Sequence, residues 1–165
     1  MPSVSAGQRE FVHEPSKIRT MPFVSVYIHF VWSTKNRIPY LKTKALRESM
    51  WKHIKKNAKE KGIIVDYING HAEHCHCLVS MKPDQNISRI MMMLKGESAN
   101  WFNKQKYISD KLEWQDEYFA VSVSQSMLNR VRTYIKNQEE HHKKKSFLTE
   151  SGEFFSKYNF IKISD

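Results

Sequence analysis

Residues 63–81 read IIVDYINGHAEHCHCLVSM, from Ile63 to Met81, and their reading decides the fold. IIVDYI before Asn69-Gly70 and HAEHCHCLVSM after it read as two strands joined through a turn, because that dipeptide accepts the positive φ angles of tight hairpin turns. Upstream, Thr43 can cap a helix whose apolar residues Leu46, Met50, Ile54 and Ala58 recur every four positions, with Gly62 placed for a left-handed C-terminal cap. Before that helix, FVSVYIHFVWST over 23–34 puts Val24, Val26, Ile28, Phe30 and Trp32 on one face of a strand. Downstream, Asn86 can cap a second helix running to about Lys106, with Ile87, Ile90, Met91, Leu94 and Trp101 at helical spacing. The run Met91-Met92-Met93 reads as core that fills gaps. YFAVSVS over 118–124 predicts a fourth strand, and Gln125 to about Lys144 a last helix with Met127, Leu128, Val131 and Ile135 as its apolar stripe. The order strand, helix, strand, strand, helix, strand, helix predicts an α+β, ferredoxin-like split βαβ antiparallel sheet with helices on one face and an added C-terminal helix.

The chain has 165 residues, enough for one domain with a real core. We expect that domain over 21–150, a flexible extension over 1–20 and a tail over 151–165. Lys and Arg number 27 against 17 Asp and Glu, a formal charge of +10, which favours a polyanionic partner, nucleic acid first. No stretch has the length and apolarity of a membrane span, and the N-terminus lacks a secretory pattern, so a cytoplasmic protein with no membrane partner is expected.

His71, Glu73, His74, Cys75, His76 and Cys77 form the densest cluster of reactive side chains. Residues two apart share a strand face, so His74 and His76 point the same way with Cα atoms about 7 Å apart, near enough to bind one metal ion, and the cysteines point the other way. A structural zinc site would need a second Cys pair, which the chain lacks. The plain alternative is two polar histidines on an exposed face, with Cys75 and Cys77 in the core. A third ligand must come from elsewhere. Gln138 offers a neutral oxygen, and Tyr134 stands one turn before it on the same helical face, with His141 and His142 a turn further on. Without the histidines, Tyr134 reads as a core residue beside Val131 and Ile135, and His141 and His142 as a solvated face.

The segments HFVWSTKNR (29–37), EHCHCLVSM (73–81), LKGESANWF (94–102), WQDEYFAVSVS (114–124) and YIKNQEEHH (134–142), in this order, resemble the single-tyrosine transposases of the insertion-sequence 200/605 group, relatives of the REP-associated tyrosine transposases. The likeness covers about 21–150. It implies an HUH endonuclease fold in which His74 and His76 hold the metal, Gln138 completes the site and Tyr134 is the nucleophile. It further implies a single-stranded DNA transposase acting on hairpin-forming element ends through a 5′-phosphotyrosine, and a homodimer whose active sites can be shared between subunits. The resemblance implies Mg²⁺ or Mn²⁺, whereas imidazole softness alone would favour zinc or another transition metal. The leader before Met21 is not required by the family pattern.

Lys35, Arg37, Arg89, Lys95, Arg130 and Arg132 are the candidate DNA-binding cations. Tyr40 and Trp114 could stack bases, although both read better as core. Two alternatives stay open: a domesticated repeat-associated relative, and a non-catalytic single-stranded DNA- or RNA-binding domain on the same sheet. The second lacks the aromatic motif that RNA-recognition sheets display.

Overall fold

A computed structural model describes residues 22–158 and 160; the extension expected over 1–20 lies outside them. Strand β1 is Val26–Ser33, helix α1 Lys44–Glu60, β2 Ile64–Gly70, β3 His74–Met81, α2 Ile87–Gln105 and β4 Phe119–Val123. The sheet order is β2-β3-β1-β4 with every pairing antiparallel, which is the ferredoxin-like arrangement expected from the element order. The local reasons also hold: Thr43 Oγ1 accepts the Leu46 N–H at 3.2 Å, Asn86 Oδ1 accepts that of Arg89 at 3.1 Å, and Gly62 takes the left-handed conformation after α1 at φ +73°.

The two faces of the sheet differ in kind. Phe30, Trp32, Cys75, Cys77 and Val79 pack against Met50, Ile54 and Ala58 of α1 and Ile90, Met91, Leu94 and Phe102 of α2. Burying side chains of this size stabilises by about 1.5–3 kcal/mol each, so this layer holds the fold together. Trp114 belongs to it, its indole N–H donating to Ser98 Oγ at 3.0 Å. Met91 is buried there and Met93 packs alongside, but Met92 is 68% exposed, so the gap-filling expectation fails for Met92. The other face carries His29, His74, His76 and Leu78, and it is covered too, because Leu78 packs under Leu128 and Ile135. His74 and His76 are fully buried, which removes the alternative of an exposed histidine face.

Asn69-Gly70 is not the hairpin turn. Asn69 pairs with His76 and Gly70 with Cys75 inside the ladder, and the chain reverses over His71, Ala72 and Glu73, closed by the His71 N–H donating to the His74 carbonyl at 3.0 Å. Glycine is needed at 70 for space: a Cβ there would stand 2.1 Å from the His74 carbonyl oxygen. Gly70→Ala is therefore expected to destabilise the fold by on the order of 3 kcal/mol, read as a lower urea midpoint, whereas Gly96→Ala, where a Cβ meets nothing within 4 Å, should be neutral or stabilising.

The single last helix expected over 125–144 is divided. A short 3-10 turn at Gln125–Met127 leads into α3, Leu128–Lys136, and α4 is Gln138–His142. The break falls at Asn137 (φ −93°, ψ 18°), a residue whose short amide competes with helical hydrogen bonding. A further helix, α5, spans Phe147–Lys157 across the expected tail boundary at 150–151. Ser146 Oγ accepts the Thr149 N–H at 3.3 Å, and Phe147, Glu150 and Ser151 are buried. Side-chain bonds anchor this second layer. Arg132 grips Asp66 of β2 (Nε to Oδ1 2.8 Å, Nη2 to Oδ2 2.6 Å), and Arg47 of α1 donates to Glu139 of α4 (3.2 and 3.1 Å) and to the Leu41 and Lys42 carbonyls.

Candidate active site

The register sets the histidines side by side. His74 lies opposite Ser33 and His76 opposite Val31 across the β1–β3 ladder, and their rings meet edge to face at 5.2 Å between centroids. Each has its Nδ1 engaged: His74 Nδ1 is 3.1 Å from Glu73 Oε1 and His76 Nδ1 is 3.0 Å from His29 Nε2. This fixes the ring orientations and turns both Nε2 atoms toward the helices, the arrangement that metal-binding histidines commonly use. His74 Nε2 lies 3.3 Å from Gln138 Oε1, and His76 Nε2 lies 3.4 Å from Glu150 Oε1.

The helices bring the rest. α3 and α4 place Tyr134 and Gln138 on the sheet side, with Gln138 fully buried. The Tyr134 ring stands edge-on to His76 at 5.5 Å and to His141 at 5.4 Å. Tyr134 also lines an open cleft with Asn129, Arg130, Thr133 and Lys144. His142 Nε2 reaches Gln138 Oε1 at 3.1 Å and Glu150 Oε2 at 3.4 Å. The four residues expected to act together are thus in one contact chain within a single subunit: Tyr134 packs on His76, His76 on His74, and His74 Nε2 meets Gln138.

Burial sets the electrostatics. It pushes the His76 imidazole well below its usual range, helped by neighbouring His74 and His142, and does the same for His29 with His76 assisting. His142 falls to about 4 through burial and then its neighbours His74 and His71. These rings are therefore neutral near pH 7, the form that ligates metal. Burial raises Glu150 to about 7 against the opposing pull of His74. Burial also opposes ionisation of Glu73, but its hydrogen bond to His74 and the nearby histidines outweigh this and leave it lowered. On the opposite face, burial pushes both thiols up, and Cys75 and Cys77 are not joined in a disulfide.

Of the candidate DNA-binding cations, the structure brings only Arg130 beside Tyr134, in the cleft. Arg132 sits on the same helix with its guanidinium bound to Asp66. Lys35 and Arg37 follow the end of β1 nearest His74, where Lys35 faces Glu113 at 3.5 Å. Arg89 and Lys95 lie on α2, in the layer across the sheet from the histidines, and Lys95 Nζ donates to the Asp116 carbonyl at 2.7 Å. Sequence reasoning missed His29 and Glu150. His29 falls on the same sheet face as His76 in the antiparallel β1–β3 register, a usable signal once strand pairing is known; Glu150 carried none.

Residues 23–138 match the family described as transposase IS200 like. The chain belongs to that family. Two solved structures share the fold. One, a protein from Deinococcus radiodurans R1 solved as a candidate transposase, is 21% identical, with a TM-score of 0.57 over 73% of this chain and 96% of that one. The other, a REP-associated tyrosine transposase bound to a REP hairpin, is 18% identical, with a TM-score of 0.54 over 78% of this chain and 74% of that one. No curated protein matches the chain. Among the described residues no helix is long and apolar enough to cross a membrane. The family match ends at residue 138, so His141, His142 and all of α5 lie beyond it.

Proposed function

We propose that this IS200-like family member cleaves and rejoins single-stranded DNA at hairpin-forming ends, with Tyr134 as nucleophile and a 5′-phosphotyrosine as the intermediate. The observation that carries the reading is the edge-on packing of Tyr134 against buried His76 at 5.5 Å, while the same tyrosine lines a cleft open to solvent beside Arg130. A buried structural tyrosine would have no such opening.

The Nε2 atoms of His74 and His76 and the Gln138 carbonyl oxygen are directed so that they would hold a divalent cation, which the family resemblance makes Mg²⁺ or Mn²⁺. When bound, such a cation supplies charge neutralisation at the scissile phosphate. The chain's own groups do the rest. Tyr134 Oη, losing its proton, attacks phosphorus in line; the bond to the 3′ oxygen breaks, and that oxygen leaves as a protonated 3′-hydroxyl. One phosphodiester is exchanged for another, so a second 3′-hydroxyl can reverse the step on a new strand without ATP. Glu73 and His29 hold the two imidazoles in their rotamers. Arg130, one helical turn before Tyr134, is placed to bind a flanking phosphate.

The test is to incubate the protein with labelled hairpin-end DNA and Mn²⁺ or Mg²⁺ and look for an adduct that survives denaturation. Absence of adduct with folded protein and genuine ends in every metal would overturn the reading. Arg130→Ala is expected to weaken single-stranded DNA binding by about tenfold at low salt and to flatten the salt dependence. Arg132→Ala should instead lower stability, since its guanidinium serves Asp66. A homodimer is part of the proposal, with each active site assembled within one chain, as the packing of Tyr134 on its own His76 supports.

A further inference from the structure

Glu150 is 2% exposed, and neither carboxylate oxygen accepts a hydrogen bond. Leaving a buried carboxylate in that state costs several kcal/mol unless a proton or a cation meets it. What surrounds it is nitrogen: His76 Nε2 at 3.4 Å, His142 Nε2 at 3.4 Å and His141 Nε2 at 3.8 Å. Ligand atoms of His74, His142 and Glu150 all lie within 4.8 Å of one another. Atoms bound to one tetrahedral cation at 2.0–2.2 Å are separated by about 3.3–3.6 Å, and the 3.4 Å gap between His142 Nε2 and Glu150 Oε2 has that length. Phe147, stacked on His74 at 4.2 Å, closes the pocket from the same helix.

We propose that α4 and α5 complete a carboxylate-containing site for a divalent transition cation of the zinc class, with His142 and Glu150 joining His74 as ligands. It rests on the reading of the histidine pocket as a cation site and adds residues beyond the stretch matched by the family. Two imidazoles and one carboxylate suit Zn²⁺ or Co²⁺ over Mg²⁺, which prefers oxygen and retains water. A carboxylate also cancels one of the cation's two charges, which a His, His, Gln set does not.

The test measures Zn²⁺ affinity of the full chain by chelator competition, without DNA, for wild type, Glu150→Gln, His142→Ala and His53→Gln. His53 and Glu97 make a similar half-buried pair elsewhere, at 2.8 Å, and serve as the control for adventitious His-carboxylate binding. Wild type is expected to bind one Zn²⁺, Glu150→Gln and His142→Ala each to weaken it by at least about tenfold, and His53→Gln to leave it unchanged. Equal affinity in wild type, Glu150→Gln and His142→Ala would overturn the proposal. X-ray absorption of the zinc-loaded wild-type chain needs no variant: a shell with two imidazoles and a carboxylate supports the site, and an all-oxygen shell overturns it. Adduct formation in Mn²⁺ reports separately on the proposed function. An adduct without zinc binding would sink this site alone, and zinc binding without an adduct would sink the nuclease reading alone.

Discussion

Tyr134→Phe is expected to abolish the covalent protein–DNA adduct and to lower cleavage by at least about 10⁴-fold while leaving hairpin binding within about twofold. The substitution removes one oxygen. The ring keeps its edge contacts with His76 and His141, and no hydrogen bond through the hydroxyl is needed for α3 to pack, because Leu128 and Ile135 seat it on the sheet. Binding draws on the basic surface, which the variant does not touch. Gel analysis of denatured reactions, alongside thermal unfolding of both proteins, checks this. A residual adduct at wild-type level would mean another nucleophile. Hairpin binding by both proteins with no adduct from either would favour the non-catalytic DNA- or RNA-binding alternative.

The second large effect comes from the imidazoles. His74→Ala removes a ring that contacts Glu73, Gln138 and Phe147, and cleavage is expected to fall by about 10³-fold, corresponding to several kcal/mol of lost charge stabilisation. Mixing His74→Ala with Tyr134→Phe then separates two architectures. With Tyr134 packed on its own chain's His76, neither subunit of a mixed dimer holds a complete set, and cleavage should stay at the level of the single variants. Recovery toward a quarter to a half of wild type would show α3 reaching the partner subunit's histidines.

Much of the fold was legible because its determinants are local. The period-two alternation of β1 and β4, the caps Thr43 and Asn86, and Gly62 after α1 each act over a few residues, and together they dictate an order of elements whose ferredoxin-like arrangement was expected. The hairpin turn shows where local reasoning fails. Asn69-Gly70 has turn chemistry, but here the glycine is required by the His74 carbonyl across the ladder, and the turn moved to residues with weaker local signals. Similarly, His141 and His142 read as a solvated face because nothing near them in sequence says that α5 will fold back and bury Glu150 between them and the sheet.

By itself the sequence determined that His74 and His76 share one face with the cysteines on the other, and that Tyr134 and Gln138 share one helical face, because strand and helix periods are properties of the backbone. It also carried the family resemblance that joined the two pairs. Only the tertiary structure decided that both faces of the sheet are covered, that Arg132 belongs to Asp66 while Arg130 is left beside Tyr134, and that Glu150 enters the histidine pocket. Those outcomes depend on packing between segments tens of residues apart, where burial and charge pairing, not local periodicity, choose the partners.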